Sequence, residues 1–196
     1  MDRSLKMGTI TLIRHGMTKG NLERRYVGST DEGLIVEEKS RLSLQRDESV
    51  KLVYISPMKR TFETAHILFP KAELVPVEDF RECDFGQYEY MNHEELDGLE
   101  PYRRFIDSRG FEGFPGGEGR AGFSERVTYA FETLVSRERD TEEDIYIVAH
   151  GGTIMAIMEK TVIPHKDFYE WICGNGEGYV IRSEGKGHYS VCGVYP

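Results

Sequence analysis

The stretch LIRHGMTKGN, residues 12–21, closes a run of β-branched and apolar residues with an arginine, a histidine and a glycine. The run TITLI (9–13) reads as a buried strand. Arg14 and His15 therefore stand just past its carboxyl end. In open α/β sheets the crevice beyond the carboxyl ends of parallel strands is where ligands bind. The fold decides whether these two groups are surface decoration or a site.

Further along, LVYIS (52–56), LVPV (74–77), IYIVA (145–149), YVIRS (179–183) and HYSVC (188–192) are also strand-like. Helical patterns separate them. MKRTFETAHILF (58–69) repeats apolar residues at helical spacing, GFSERVTYAFETLVSRER (122–139) carries a longer stripe, and GGTIMAIMEKT (151–161) is apolar enough to be buried. VEEKSRLSLQR (36–46) is a helix with no good capping residue before it. This alternation predicts an α/β fold: a three-layer α/β/α sandwich on a mostly parallel sheet. The last two strands, joined through EGKG, form an antiparallel hairpin at one edge. Residues 110–122 hold six glycines and a proline and read as loop. With the segment from Asn92 they form a long excursion, expected to cap a site. Its aromatics Tyr102, Phe105, Phe111 and Phe114 either stack on a ligand or close the cap's own small core.

At 196 residues, with 39% hydrophobic and 30% charged content, the chain suits one folded domain over 1–196. A net charge of −9 argues against nucleic-acid and anionic-membrane partners, which need a basic face. The cysteines Cys83, Cys173 and Cys192 are odd in number and lack Cys-x-x-Cys spacing, which fits a reducing cytoplasm. Met1–Lys6 reads as a loose tail without the apolar stretch of a signal peptide, and no segment approaches the ~20 apolar residues of a membrane span. No apolar seam demands an oligomer, although a symmetric homodimer is a common state for enzymes.

Four strand ends lead into polar groups. The first carries Arg14 and His15; the second runs into SPMKR, placing Arg60 in the first turn of its helix. The third leads through EDF to RECDFG with Arg81, Glu82 and Asp84, and the fourth ends at His150 before HGGT. If the strands are parallel neighbours, two histidines, several arginines and one acid converge, a set suited to a phosphoryl group. The helix N-terminus after His150 adds backbone donors for the same anion. Each group alone has a plainer reading. A strand-end histidine is more often a structural hydrogen-bonding group, Arg60 could pair on a helix surface, and most acids near Glu82 only solvate a loop.

Taken together, Arg14-His15-Gly16 with Thr18 and Asn21, SPMKRTFETA (56–65), RECDFGQYE (81–89) and AHGG (149–152) resemble the histidine phosphatase superfamily, the phosphoglycerate mutase-like fold. Within it the chain is most similar to the alpha-ribazole phosphatase and small broad-specificity phosphatase branch. The resemblance implies that His15 is the nucleophile and forms a phosphohistidine. It implies that Arg14, Arg60 and His150 hold the non-bridging oxygens and that Glu82 is general acid and then base. Thr18, Asn21 and Gly151 would add donors to the substrate. It implies no cofactor and no metal; NHEEL (92–96) lacks the second histidine of a zinc motif. The expected reaction is hydrolysis of a small phosphorylated metabolite, with phosphoglycerate mutase and a non-catalytic phospho-ligand module as alternatives. The chain departs from the family pattern at Met17, at Asp31–Glu38, at Tyr88-Glu89-Tyr90 and at Gly117-Glu118-Gly119. The last two are places where substrate would be gripped.

Overall fold

The computed structural model describes residues 8–138, 141 and 143–196. The expected tail Met1–Lys6 and the last residue of the predicted helix, Arg139, lie outside the described residues. Six strands, β1 (Ile10–Arg14), β2 (Leu52–Ile55), β3 (Glu73–Pro76), β4 (Ile145–Ala149), β5 (Gly178–Gly185) and β6 (His188–Tyr195), form one sheet in the order β3-β2-β4-β1-β5-β6. The first four are parallel. The predicted hairpin β5–β6 extends the β1 side, β5 running antiparallel to β1.

Helices α1 (Lys19–Leu22), α2 (Val36–Ser43), α3 (Lys59–Leu68), α4 (His93–Leu96), α5 (Glu100–Asp107), α6 (Arg120–Glu138) and α7 (Gly151–Thr161) fill the connections. Alternation along the strands assigns them to the two faces of the sheet. Ile10, Leu12, Ile145 and Ile147 pack with Phe123, Phe131, Ile154 and Ile157 of α6 and α7. Ile13, Val53, Ile55 and Val148 pack on the opposite face with Leu42, Ala65 and Leu68 of α2 and α3. The three layers follow from this two-sided burial.

Two helix boundaries differ from the sequence reading by more than one residue. Helix α2 stops at Ser43 rather than residue 46, and its N-cap, Ile35, makes no side-chain capping bond. Helix α6 begins at Arg120, so residues 120–122 are helical rather than loop. The excursion holds the short helices α4 and α5 over a third cluster, in which Leu96, Tyr102 and Phe114 pack with Tyr26, Phe85 and Phe105. Tyr102, Phe105 and Phe114 thus close the cap's own core. Phe111 stays outside, 56% exposed, with the Arg120 guanidinium 4.6 Å from its ring centre. No helix among the described residues is long and apolar enough to cross a membrane.

Candidate active site

Strand register brings the two histidines together. Arg14 pairs with Ala149 in the parallel β1–β4 ladder, and the His15 N–H continues it to the Ala149 carbonyl at 2.9 Å. The next residue on each strand is a histidine, so the two imidazoles meet edge to face with ring centres 5.2 Å apart. Both are buried, at 4% and 0% exposure.

Their hydrogen bonds differ. His15 Nδ1 lies 2.7 Å from the Gly16 carbonyl, which only accepts, so Nδ1 carries the proton and the Nε2 lone pair of the neutral ring is free. His150 Nδ1 accepts from Arg60 Nε at 3.2 Å, which places its proton on Nε2, 2.7 Å from Ser56 Oγ. Burial pushes both imidazoles well below the usual histidine range, and Arg60 and Arg14 push further. Both rings are neutral at neutral pH.

Arg60 is fully buried, held by the carbonyls of Thr30 at 2.8 Å and Gly28 at 2.9 Å besides His150. Glu89 fixes that loop by accepting the N–H groups of Gly28 at 2.8 Å and Thr30 at 2.9 Å. Arg60 thus supplies charge more than free donors. Arg14 is the converse: one terminal N–H goes to the Cys173 carbonyl at 2.7 Å, while its buried Nε has no partner among the described residues. A buried unpaired guanidinium N–H is costly unless an anion completes it.

Glu82 reaches the site from the 3-10 turn Glu78–Phe80 after β3. Its carboxylate accepts the N–H of Cys83 at 2.9 Å and of Gly152 at 3.0 Å, the latter in the first turn of α7. Burial raises its pKa, overcoming those two bonds and the pull of Arg60 and Arg14. This identifies what shifts the acid: burial, not neighbouring carboxylates.

Of the two glycines after His150 only the second is required, by Glu82; a Cβ on the first would make ordinary contact. A Cβ on Gly152 would lie 2.2 Å from a Glu82 carboxylate oxygen, and one on Gly151 3.4 Å from Arg14 Nε. Thr18 is fully buried and caps α1, its hydroxyl accepting the Asn21 N–H at 3.2 Å. Asn21 returns its side-chain oxygen to the Thr18 N–H at 3.2 Å. The NHEEL segment is a capping box between Asn92 and Glu95.

The sequence reading missed two contributors. Ser56, quoted there as the end of LVYIS and the start of SPMKR, accepts the Nε2 proton of His150 at 2.7 Å. The loop before β5 clamps the segment Arg14–His15: the Cys173 carbonyl takes Arg14, Gly176 N–H donates to the Arg14 carbonyl at 3.0 Å, and Asn175 Nδ2 donates to the His15 carbonyl at 3.0 Å. Only the run of glycines in CGNGEG hinted at a tight turn there.

A cavity of about 370 Å³ borders Glu82 and is walled by Gly28, Met58, Arg81, Asp84 and Arg126. Arg81 is paired with Glu78 and Arg126 with Glu118 at 2.7 Å. A larger cavity of about 540 Å³ between α6 and α7 touches none of the converged groups. Of the two, only the smaller touches a converged group, Glu82.

Comparison with known proteins bears on family and fold. The sequence profile of the histidine phosphatase superfamily (branch 1) matches residues 10–192. Phosphoglycerate mutase-like protein 4 of Arabidopsis thaliana is 30% identical over 77% of this chain and 70% of its own length. Phosphoserine phosphatase 1 of Hydrogenobacter thermophilus is 27% identical over 91% of this chain and 88% of its own. The crystal structure of the alpha-ribazole phosphatase of Shigella flexneri superposes with a TM-score of 0.80 at 22% identity, covering 96% of each chain. The three names share phosphorylated compounds and differ in which one.

Proposed function

The chain belongs to the histidine phosphatase superfamily, branch 1, and from that premise we propose that it hydrolyses a small phosphomonoester through a phosphohistidine on His15. The observation that carries this reading is the free Nε2 lone pair of a neutral, buried His15 beside an arginine with an unpaired N–H.

Nε2 attacks phosphorus, the N–P bond forms as the ester P–O bond breaks, and protonated Glu82 gives its proton to the departing oxygen. Carboxylate Glu82 then takes a proton from water, whose oxygen bonds phosphorus while the N–P bond breaks. Phosphate leaves and both groups return to their starting states. Arg14 and the free N–H groups opening α7 take the non-bridging oxygens, Arg60 holds positive charge nearby, and His150 exchanges Ser56 for a phosphoryl oxygen. The leaving group sits in the cavity bordering Glu82. These groups supply the positive charge themselves, so the reaction needs no metal.

Alpha-ribazole phosphate is the substrate to test first, on the kinship of fold and motifs. The deciding assay incubates the protein in chelator with 3-phosphoglycerate, alpha-ribazole phosphate and p-nitrophenyl phosphate. Release of free phosphate is expected. Conversion of 3-phosphoglycerate to 2-phosphoglycerate as the main product, or turnover that chelator abolishes, overturns the reading.

A further inference from the structure

We propose that Asn175 is a positioning residue of the phosphoryl site, acting through Asn21; this rests on the reading of that site given above. The oxygen and nitrogen of a carboxamide occupy nearly the same volume, so its neighbours decide which one faces a ligand. At Asn21 the oxygen accepts two donors, the Thr18 N–H at 3.2 Å and Asn175 Nδ2 at 3.0 Å. Reversing the Asn21 amide would set its NH2 against both. Its nitrogen is therefore turned the other way, and it donates to no protein group among the described residues. A donor is thus left for a phosphoryl oxygen.

Asn175 is itself fixed. Its Nδ2 faces two groups, the His15 carbonyl at 3.0 Å and Asn21 Oδ1 at 3.0 Å, and the carbonyl can only accept. Its main-chain carbonyl accepts Arg41 Nη2 at 2.8 Å. Arg41 makes a two-pronged contact with buried Glu38, and Glu38 accepts the Met17 N–H at 3.0 Å. The circuit therefore grips the nucleophile segment at His15, Met17 and Asn21. Met17, a departure from the family pattern, contributes through its main chain. Asn175 lies 154 residues from Asn21, so nothing local in the sequence links them.

The test is a double-mutant cycle of Asn175→Ala and Asn21→Ala, read by kcat/KM on p-nitrophenyl phosphate and by the affinity for orthovanadate, with thermal midpoints measured for all four proteins. Each single change is expected to cost about tenfold in both readouts, on the scale of one hydrogen bond to a charged group. In the Asn21→Ala background, Asn175→Ala should cost clearly less than in the wild type, because only its bond to the His15 carbonyl is then lost. Effects that multiply to about a hundredfold, or wild-type behaviour in Asn175→Ala, overturn the proposal. If Asn175→Ala does not fold, the uncharged, near-isosteric Asn175→Leu enters the same cycle with the same criterion. Vanadate affinity needs no turnover, so a wild type that binds vanadate with this coupling but hydrolyses nothing would reject the phosphatase reading and leave Asn175 in its role.

Discussion

The ends of β1 and β4 carry the same local pattern, an apolar strand followed by histidine and glycine, in adjacent parallel strands. They nevertheless finish differently. At the β1 end one ring nitrogen donates to the next carbonyl and the other is free. At the β4 end both ring nitrogens are taken, by Arg60 and Ser56. Sequence pattern placed two imidazoles in one crevice, and hydrogen bonding separates their roles: a nucleophile needs a lone pair, whereas a wall group can be fully engaged. Burial and the same arginines keep both rings neutral. The assignment of His15 as nucleophile thus acquires a reason in this molecule besides resemblance.

The sharpest way to break the contrast is to remove each ring in turn. His15→Ala is expected to lower kcat/KM at least on the order of 10⁴-fold and to abolish labelling of the protein by a radioactive phosphoryl donor. His150→Ala should cost on the order of 10²-fold and keep the label, as for loss of one donor to the reacting group. Labelling that survives without His15 and disappears without His150 would reverse the two roles.

A smaller effect concerns the acid. Glu82→Ala should cost about 10²–10⁴-fold on an alkyl phosphate, whose leaving oxygen needs a proton, and far less on p-nitrophenyl phosphate, whose leaving group does not. The pH profile sharpens this. Activity should rise as His15 loses its proton, below the ordinary histidine range, and fall as Glu82 loses its proton, above the ordinary carboxyl range. The falling limb should vanish in Glu82→Ala and the rising limb remain. An unchanged falling limb would exclude Glu82 as its source.

The smallest effect is on stability. Both imidazoles bind protons less readily in the folded chain than an ordinary histidine, whose pKa is about 6.5. The unfolded chain therefore binds more protons below about pH 6.5, and stability drops as pH falls through that value towards the folded ones. A neutral replacement, His150→Asn, should flatten the decline of thermal midpoint between about pH 7 and pH 5. The difference is expected at roughly 2–4 °C, corresponding to about 1 kcal/mol at this chain length. Parallel declines in both proteins would show that His150 stays uncharged in neither state or in both.

The groups legible in the sequence were those that local pattern could place. Arg14, His15 and His150 follow strands, Arg60 opens a helix, and Glu82 follows a strand by a short turn, so period and punctuation sufficed once the sheet was taken as parallel. Asn175 was illegible because its use depends on β5 returning antiparallel to β1, a pairing between the two ends of the chain. Ser56 stood in a quoted motif, yet its partner lies 94 residues on. The cap aromatics were ambiguous for a different reason. Core and ligand platform demand the same side chains, and only three-dimensional packing puts Tyr102 and Phe114 under Tyr26 rather than in the crevice.

The bond from Arg14 to the carbonyl of Cys173 spans 159 positions of the chain. Synthesis proceeds from the amino end, so His15 emerges long before the carbonyl that braces its neighbour Arg14. A chain that stops between His150 and Cys173 retains His15, Arg60, Glu82 and His150 and lacks that brace.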